Sequence, residues 1–234
     1  MKQAAPAILV GFGTLCLLSG SYYGLFVAPP ERYMGDVQRI MYIHVPTAWN
    51  ALLALTWAFI SALVYLVRGG RAWDARLEAG IEVGVILTAL LCALGAIWAR
   101  PTWGVWWDWD PRLTTSAVLL VGFVGILALR HFVDDPARRA TWTAVGTVVM
   151  YIDVPIVYLS VKWWNTLHQM QSTPEIVATT FHWPLRVNAF GVLILMVGLL
   201  IARARIAEAR LREELTDPED ESAGASNLVP GRVL

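Results

Sequence analysis

Six long apolar stretches, separated by short polar or turn-forming segments, dominate the pattern of hydrophobic and polar positions along the chain. They cover residues 6–28, 45–67, 79–98, 114–133, 141–160 and 186–204. A helix needs roughly 20 mostly apolar residues to cross a bilayer, and each stretch is close to that length. The pattern therefore predicts an all-α integral membrane protein with six transmembrane helices.

The composition agrees with a membrane protein. Apolar residues make up 57% of the chain and charged residues 15%, whereas soluble domains average about 45–50% and about 25%. The formal net charge is zero. This balance gives no indication of a nucleic-acid partner, and we expect none.

The distribution of basic residues predicts the orientation of the helices. With the N-terminus inside, twelve of the 18 Lys and Arg residues fall on the inner side. This bias predicts cytoplasmic termini and places residues 29–44, 99–113 and 161–185 outside. We divide the chain into a six-helix membrane domain at 1–205 and a cytoplasmic unit at 206–234. That unit is expected to be a helix extension followed by a disordered acidic tail.

Five of the twelve tryptophans fall within residues 98–109, in the second predicted outer loop. We call residues 98–110 the Trp shelf. Single interfacial tryptophans are common in membrane proteins as an aromatic belt. Five in twelve residues, interleaved with Gly104 and two aspartates, favour a binding surface for a large flat apolar ligand instead. The faces of the indole rings suit such a ligand, and each indole also offers one N–H donor.

Two histidines are predicted to lie beside the Trp shelf. His44 lies in the first outer segment and His168 in the third. A pair of neutral imidazoles flanking an aromatic surface suits an iron porphyrin, so we expect both to be axial iron ligands. Arg100 and Arg112 flank the shelf and are candidates for binding the propionates. His182 lies on the same predicted face and remains a spare ligand candidate.

Three further residue types limit the chemistry. Cys16 and Cys92 lie inside apolar stretches, and the chain contains no CxxC or CxxCH motif. Covalent c-type attachment of haem to this chain is therefore not expected. His131 falls at the inner end of the fourth stretch and is interpreted as structural. Asp153 lies at membrane depth, where a carboxylate is costly, and it marks either a functional site or a local polar network beside Pro155.

The Trp shelf resembles a known signature. The segment from Trp103 to Asp110 matches the WGxxWxWD pattern of the WWD domain, found in the haem-handling cytochrome c assembly superfamily. Residues 42–46 and 163–169 resemble the two histidine segments of one branch of it. That branch is cytochrome c maturation protein C, also called haem exporter protein C. The resemblance runs from about residue 20 to 205. The fixed positions of the motif are occupied by Trp103, Gly104, Trp107, Trp109 and Asp110, and with Trp106 at a variable position they are the expected haem-binding residues.

The resemblance implies a six-helix protein of the bacterial inner membrane with its WWD loop in the periplasm. It implies a non-covalently held b-type haem on two axial histidines, His44 and His168. The implied partners are the periplasmic haem chaperone (cytochrome c maturation protein E), the small membrane protein D, and an ABC-type complex of proteins A and B. The expected role is delivery of haem to the chaperone rather than catalysis.

Two other classes of function stay open at this point. A b-type cytochrome subunit of a quinone-linked redox enzyme would place its ligand histidines so that electrons cross the bilayer, whereas this pair lies at one face. A secondary transporter would show inverted repeats and broken helices at the midplane, and neither is clear in the sequence. Within the shelf, we expect Asp110 to orient the loop by accepting backbone or indole N–H bonds, because an ionised carboxylate only accepts.

Overall fold

The computed structural model describes residues 4–169 and 179–214, and its regular structure there is helical apart from one isolated bridge between Glu31 and Gly35. The acidic tail predicted at 216–234 lies outside the described residues. A π-helical turn, Tyr23–Val27, follows the first helix, and a 3-10 helix, Asp36–Ile40, precedes the second. The α-helices are α1 (Ala5–Tyr22), α2 (Met41–Arg68), α3 (Arg71–Trp103), α4 (Pro111–Phe132), α5 (Pro136–Met150), α6 (Asp153–Trp163) and α7 (Thr179–Glu214).

These helices form six segments that are long and apolar enough to cross a membrane, which confirms the six predicted spans. The fifth span, Pro136–Trp163, consists of two helices, α5 and α6. Pro155 has no N–H to offer the carbonyl of Tyr151, four residues earlier. That carbonyl accepts the N–H of Val154 instead, at 3.0 Å. The helix is therefore interrupted at the residue that loses its regular partner.

Small residues let α1 lie directly against α7. A Cβ added at Gly13 would meet the backbone nitrogen of Leu195 at 2.5 Å, and one at Gly191 would meet that of Leu17 at 2.8 Å. Neither position has room for a side chain. Close approach at small residues is how helices gain packing contact where lipid removes the hydrophobic driving force.

Two apolar cores occupy the middle of the bundle. Leu55, Ile81 and Phe123 belong to a cluster shared by α2 to α6. Val83 and Met196 belong to a second cluster that joins α2 and α3 to α7. Together they hold α2 and α3 as the central pair, against which the other helices pack.

A buried ionic network joins four helices at the end of the bundle away from the Trp shelf. Arg130 of α4 is 7% exposed and donates to Asp74 and Glu78 of α3, each at 2.8 Å, and to Thr143 of α5 at 3.2 Å. Arg210 of α7 donates to the same Glu78 at 2.7 Å. Each buried charge thus has an opposite charge within hydrogen-bond distance, which such burial requires.

The helix extension predicted after residue 205 is helical in the structure, where α7 continues to Glu214. Ala207 and Leu211 pack on Ala75 of α3. The division into units at 1–205 and 206–234 remains a prediction.

Candidate functional site

A cleft opens at the end of the bundle where α3 gives way to α4. Helices α2, α3, α4 and α6 and the segment after α6 surround it. The side chains that line it include Met41, His44, Val45, Trp49, Trp98, Trp103, Trp107, Arg112, Tyr158 and His168. Both predicted iron ligands and part of the Trp shelf therefore meet in one place.

Glycine and aspartate fix the two ends of the Trp shelf loop. Gly104 ends α3 with φ of +81°, in the left-handed region that glycine adopts without steric cost. Its N–H donates to the carbonyl of Arg100 at 3.1 Å, and the Arg100 guanidinium donates to the carbonyl of Gly104. Asp110 begins α4 as its N-cap, accepting the N–H of Leu113 at 2.9 Å, with Pro111 at the first helical position.

Asp110 also connects the shelf to the segment that carries His168. Its second carboxylate oxygen accepts the N–H of Leu167 at 2.9 Å and the hydroxyl of Thr166. Burial raises the pKa of Asp110, but these hydrogen bonds outweigh it and hold the pKa below its ordinary value. The expected backbone N–H bonds are present, so one ionised carboxylate positions both the start of α4 and the His168 segment.

The rings of His44 and His168 lie close together in the cleft. His44 is 7% exposed near the start of α2, and its ring centroid lies 6.4 Å from that of His168, with 35° between the planes. Two imidazole nitrogens that bind one metal ion at about 2 Å each place their ring centroids about 6 Å apart. The observed spacing therefore fits a single metal ion between the two rings.

The hydrogen bonding of each histidine bears on this role. The Nδ1 of His168 lies 2.8 Å from the carbonyl oxygen of Gln169, so Nδ1 carries the proton and Nε2 keeps a lone pair for a metal. Burial and the charge of Arg112 lower the pKa of His168, which favours the neutral, ligating form. The Nδ1 of His44 is buried and has no hydrogen-bond partner within the described residues.

The tryptophans of the shelf divide into an inward and an outward group. Trp98, Trp103 and Trp107 line the cleft, with Trp98 packed edge-on against Trp103 at 5.2 Å between ring centroids. The indole N–H groups of Trp98 and Trp107 are buried without a partner among the described residues, so both donors are available to a ligand. Trp106 and Trp109 lie 59% and 76% exposed on the outside.

The two arginines predicted to bind propionates occupy different places. Arg112 lines the cleft and donates from Nε to the hydroxyl of Ser160 at 3.3 Å and from Nη2 to the carbonyls of Val157 and Tyr158, both at 3.1 Å. Its Nη1 takes no part in these bonds. Arg100 is exposed and bonded to Gly104 rather than turned into the cleft.

Other candidates from the sequence lie away from the cleft. His131 is exposed near the end of α4. His182 of α7 and Asp153 of α6 do not line the cleft. Asp153 has one buried carboxylate oxygen without a partner in the described part of the chain.

Sequence reasoning did not assign part of the cleft wall. Met41, Val45 and Trp49 of α2 line the cleft together with His44, and Trp98 lies beside His168 with 6.4 Å between ring centroids. Met41 and Ala48 lie three positions before and four positions after His44, so helical periodicity was a usable signal for these two lining residues but not for Val45 or Trp49.

The side chains of the cleft suit a metal ion that is already bound by a cofactor. Across residues 4–169 and 179–214, no group of three or more His, Cys, Asp or Glu side chains is placed to hold a metal ion. Two imidazoles in an aromatic cleft would suit a metal ion that is carried by a porphyrin, which supplies four nitrogens of its own. Fold and site together match a multi-pass membrane protein that handles haem.

Comparison with known proteins gives the particular family. The family model for Heme exporter protein C matches residues 1–217. Heme exporter protein C of Bradyrhizobium diazoefficiens is 37% identical over 196 residues, which are 82% of this chain and 74% of that protein. The Escherichia coli K12 protein of the same name is 36% identical over 193 residues (81% and 78%), and that of Paracoccus denitrificans 31% over 212 residues (88% and 87%). This chain belongs to the Heme exporter protein C family.

Membership confirms the family that the sequence resembled. The chain is a multi-pass inner-membrane protein that associates with haem and has a role in haem handling for cytochrome c biogenesis. It is a component of a system with further members, and the family name describes handling of haem rather than catalysis.

Proposed function

We propose that the cleft holds a b-type haem, non-covalently, at the periplasmic face, and that the chain loads this haem onto the periplasmic haem chaperone, cytochrome c maturation protein E. The observation that carries the proposal is the pair of imidazole rings 6.4 Å apart within a cleft walled by tryptophans. His44 and His168 are the axial ligands. Trp103 and Trp107 contact the macrocycle.

The polar groups of the cleft bind the haem periphery. Nε and Nη2 of Arg112 make the three hydrogen bonds that hold the guanidinium on α6. Nη1 makes none of them, and it pairs with a propionate. The unpartnered indole N–H groups of Trp98 and Trp107 supply further donors. Arg100 and Gly104 act indirectly, by closing the end of α3 so that the shelf keeps its shape.

The outward tryptophans face the partner. Trp106 and Trp109 present large apolar surfaces outside the cleft, next to the loop that covers the haem. Exposed aromatic side chains are typical anchors of protein interfaces. Contact with the chaperone at this point lies close enough to the loop to couple docking to haem release. Protein D and the complex of proteins A and B are the other proposed partners.

The alternative of a b-type cytochrome in a quinone-linked enzyme receives no support from the site. All four histidines of the chain lie within the described residues, and the pair of His44 and His168 is at one end of the bundle. His131 at the other end is exposed and has no second histidine near it in sequence. We therefore propose delivery of haem without electron transfer across the bilayer.

The visible spectrum of the detergent-purified chain tests the proposal. Replacing His44 or His168 with Ala removes one coordination bond and leaves the spans intact, so we expect the low-spin signature of two axial imidazoles to disappear while the protein level persists. Replacing His131 with Ala is the matched control and should leave the spectrum unchanged. A wild-type spectrum in both ligand variants would refute the assignment and make His182 the next residue to test.

A further inference from the structure

Helix α2 contains a buried proline just after the proposed ligand His44. Pro46 lies two residues further on, inside the helix and fully buried. A helical N–H bonds the carbonyl four residues earlier, and proline has no N–H. The carbonyl of Tyr42 therefore lacks its regular intrahelical donor four residues later, and the turn from Tyr42 to Pro46 is the turn that carries His44.

A side chain from α7 replaces the missing donor. Asn188 is fully buried, and its Nδ2 donates to the carbonyl oxygen of Tyr42 at 2.7 Å. In an apolar surrounding, an unpaired carbonyl is costly, and an amide donor across the helix interface satisfies it. This bond ties the His44 turn to α7 rather than to the next turn of its own helix.

A second asparagine makes the reciprocal contact one turn further along. Asn50 of α2 is buried, and its Nδ2 donates to the carbonyl of Pro46 at 2.9 Å and to the carbonyl of Ala189 on α7 at 3.3 Å. Each helix thus gives an amide donor to the backbone of the other. The pair fixes the rotation and the height of α2 relative to α7 on both sides of Pro46.

Helix α1, which also packs here, limits the position of the Asn188 amide. A Cβ added at Gly20 of α1 would lie 2.3 Å from Oδ1 of Asn188. The amide therefore occupies space that only a glycine leaves open. Oδ1 has no hydrogen-bond partner within the described residues, so the bond from Nδ2 to Tyr42 is the polar contact that orients the side chain.

We propose that Asn188 is a positioning residue for His44: by supplying the donor that Pro46 lacks, it holds the His44 turn at the distance from His168 that two-imidazole coordination needs. This inference rests on the proposed function of His44. It differs from a general role of Asn188 in joining two helices, because it requires that the effect of Asn188 depend on residue 46.

A double-mutant cycle separates the two roles. The variants are Asn188→Leu, Pro46→Ala and both together, with haemin titrated into each detergent-purified chain and the visible spectrum recorded. With Pro46 in place, we expect Asn188→Leu to weaken haemin binding about three- to twenty-fold, the range that one interhelical hydrogen bond in a membrane protein spans. Part of the low-spin signal should become high-spin. In the Pro46→Ala background, the alanine N–H bonds the Tyr42 carbonyl directly, so the same change at Asn188 should cost less than about two-fold.

The control is Thr88→Val. Thr88 is equally buried, but its hydroxyl bonds only the carbonyl of Gly84 in its own helix, so this variant should keep wild-type binding and spectrum. Equal losses from Asn188→Leu in the two residue-46 backgrounds would overturn the inference, as would a wild-type spectrum in Asn188→Leu.

Two further variants keep the result interpretable. If Asn188→Leu does not accumulate, Gly20→Ala displaces the same amide from the α1 side and is expected to give the same spectral change, again relieved by Pro46→Ala. Unchanged coordination in Gly20→Ala would then count against the inference. His44→Ala reports on the proposed function itself. Loss of the signal there, with an unaffected Asn188→Leu, would refute the positioning role and leave the ligand role standing.

Discussion

Asp110 offers the sharpest test of how the haem site is held together. Its carboxylate is 6% exposed and accepts three hydrogen bonds, from the backbone of Leu113, the backbone of Leu167 and the hydroxyl of Thr166. The bond from Leu113 begins α4, and the bonds from Leu167 and Thr166 hold the segment that carries His168. We therefore predict that removing the carboxylate loosens His168, although Asp110 does not itself line the cleft.

The magnitudes follow from the number of bonds lost. Asp110→Ala removes the cap, at about 1 kcal/mol, and two bonds to a charged acceptor, each about 1.5–3 kcal/mol. Asp110→Asn keeps a good cap but offers one carbonyl oxygen in place of two carboxylate oxygens, which leaves Leu167 unpaired at about 1–3 kcal/mol. In haemin affinity, we expect roughly a tenfold loss for the Asn variant and at least a hundredfold loss for the Ala variant.

The assay is haemin titration of the purified variants, monitored by the visible spectrum, with the far-ultraviolet circular dichroism recorded to show that the helices are retained. Thr166→Val serves as an intermediate case because it removes one of the three donors and preserves side-chain shape. Equal losses in the Asn and Ala variants, in folded protein, would contradict the bond-by-bond reasoning and indicate that the negative charge itself is needed.

Three further outcomes are expected. In a background without the native cysteines, Val105→Cys should react with an impermeant thiol reagent added from the periplasm and Ala137→Cys should not; the opposite labelling would reverse the proposed orientation. Trp103 and Trp107 act through contact area, so Trp→Phe at either position should retain haem. Replacing both with Ala should weaken haem binding by a few kcal/mol, and equal losses from the Phe and Ala variants would argue against a contact role. Arg112→Lys should weaken haemin binding less than Arg112→Ala, and this difference should be smaller with haem whose propionates are esterified, because only the bonds from residue 112 to α6 can then contribute; an equal difference with the ester would refute the propionate contact.

The spans were predictable because each depends on one local property, a sufficient length of apolar sequence. The interruption between α5 and α6 was not, since Tyr151 and Ile152 remain apolar and the hydropathy does not change there. Pro155 was the available signal. It removes the donor for the carbonyl of Tyr151, and a break four residues before a proline is the local consequence.

The chemistry of the site could be predicted from the sequence more fully than its geometry could. Residue types at the shelf suggested a haem ligand set, but which tryptophans turn inward depends on the conformation of the loop between Gly104 and Asp110. The difference between Trp107, which lines the cleft, and Trp109, which is 76% exposed, has no signature in residue type or spacing. The contact of Asn188 with Tyr42 joins residues 146 positions apart and is set by helix packing alone.

The two proposed ligands are held in different ways, and this bears on transfer. His44 lies on α2, which is hydrogen-bonded to α7 through Asn188. The carbonyl that accepts this bond belongs to Tyr42, two residues before His44. His168 lies in a segment after α6 that is hydrogen-bonded to Asp110 through Thr166 and Leu167. That carboxylate is also the N-cap of α4, directly after Trp109, the most exposed of the shelf tryptophans. A partner that docked on Trp109 would therefore act on a loop that shares the Asp110 anchor with His168. If the cleft holds haem as proposed, a change in the shelf loop would therefore reach His168 through Asp110 more directly than it would reach His44, which α7 holds through Asn188.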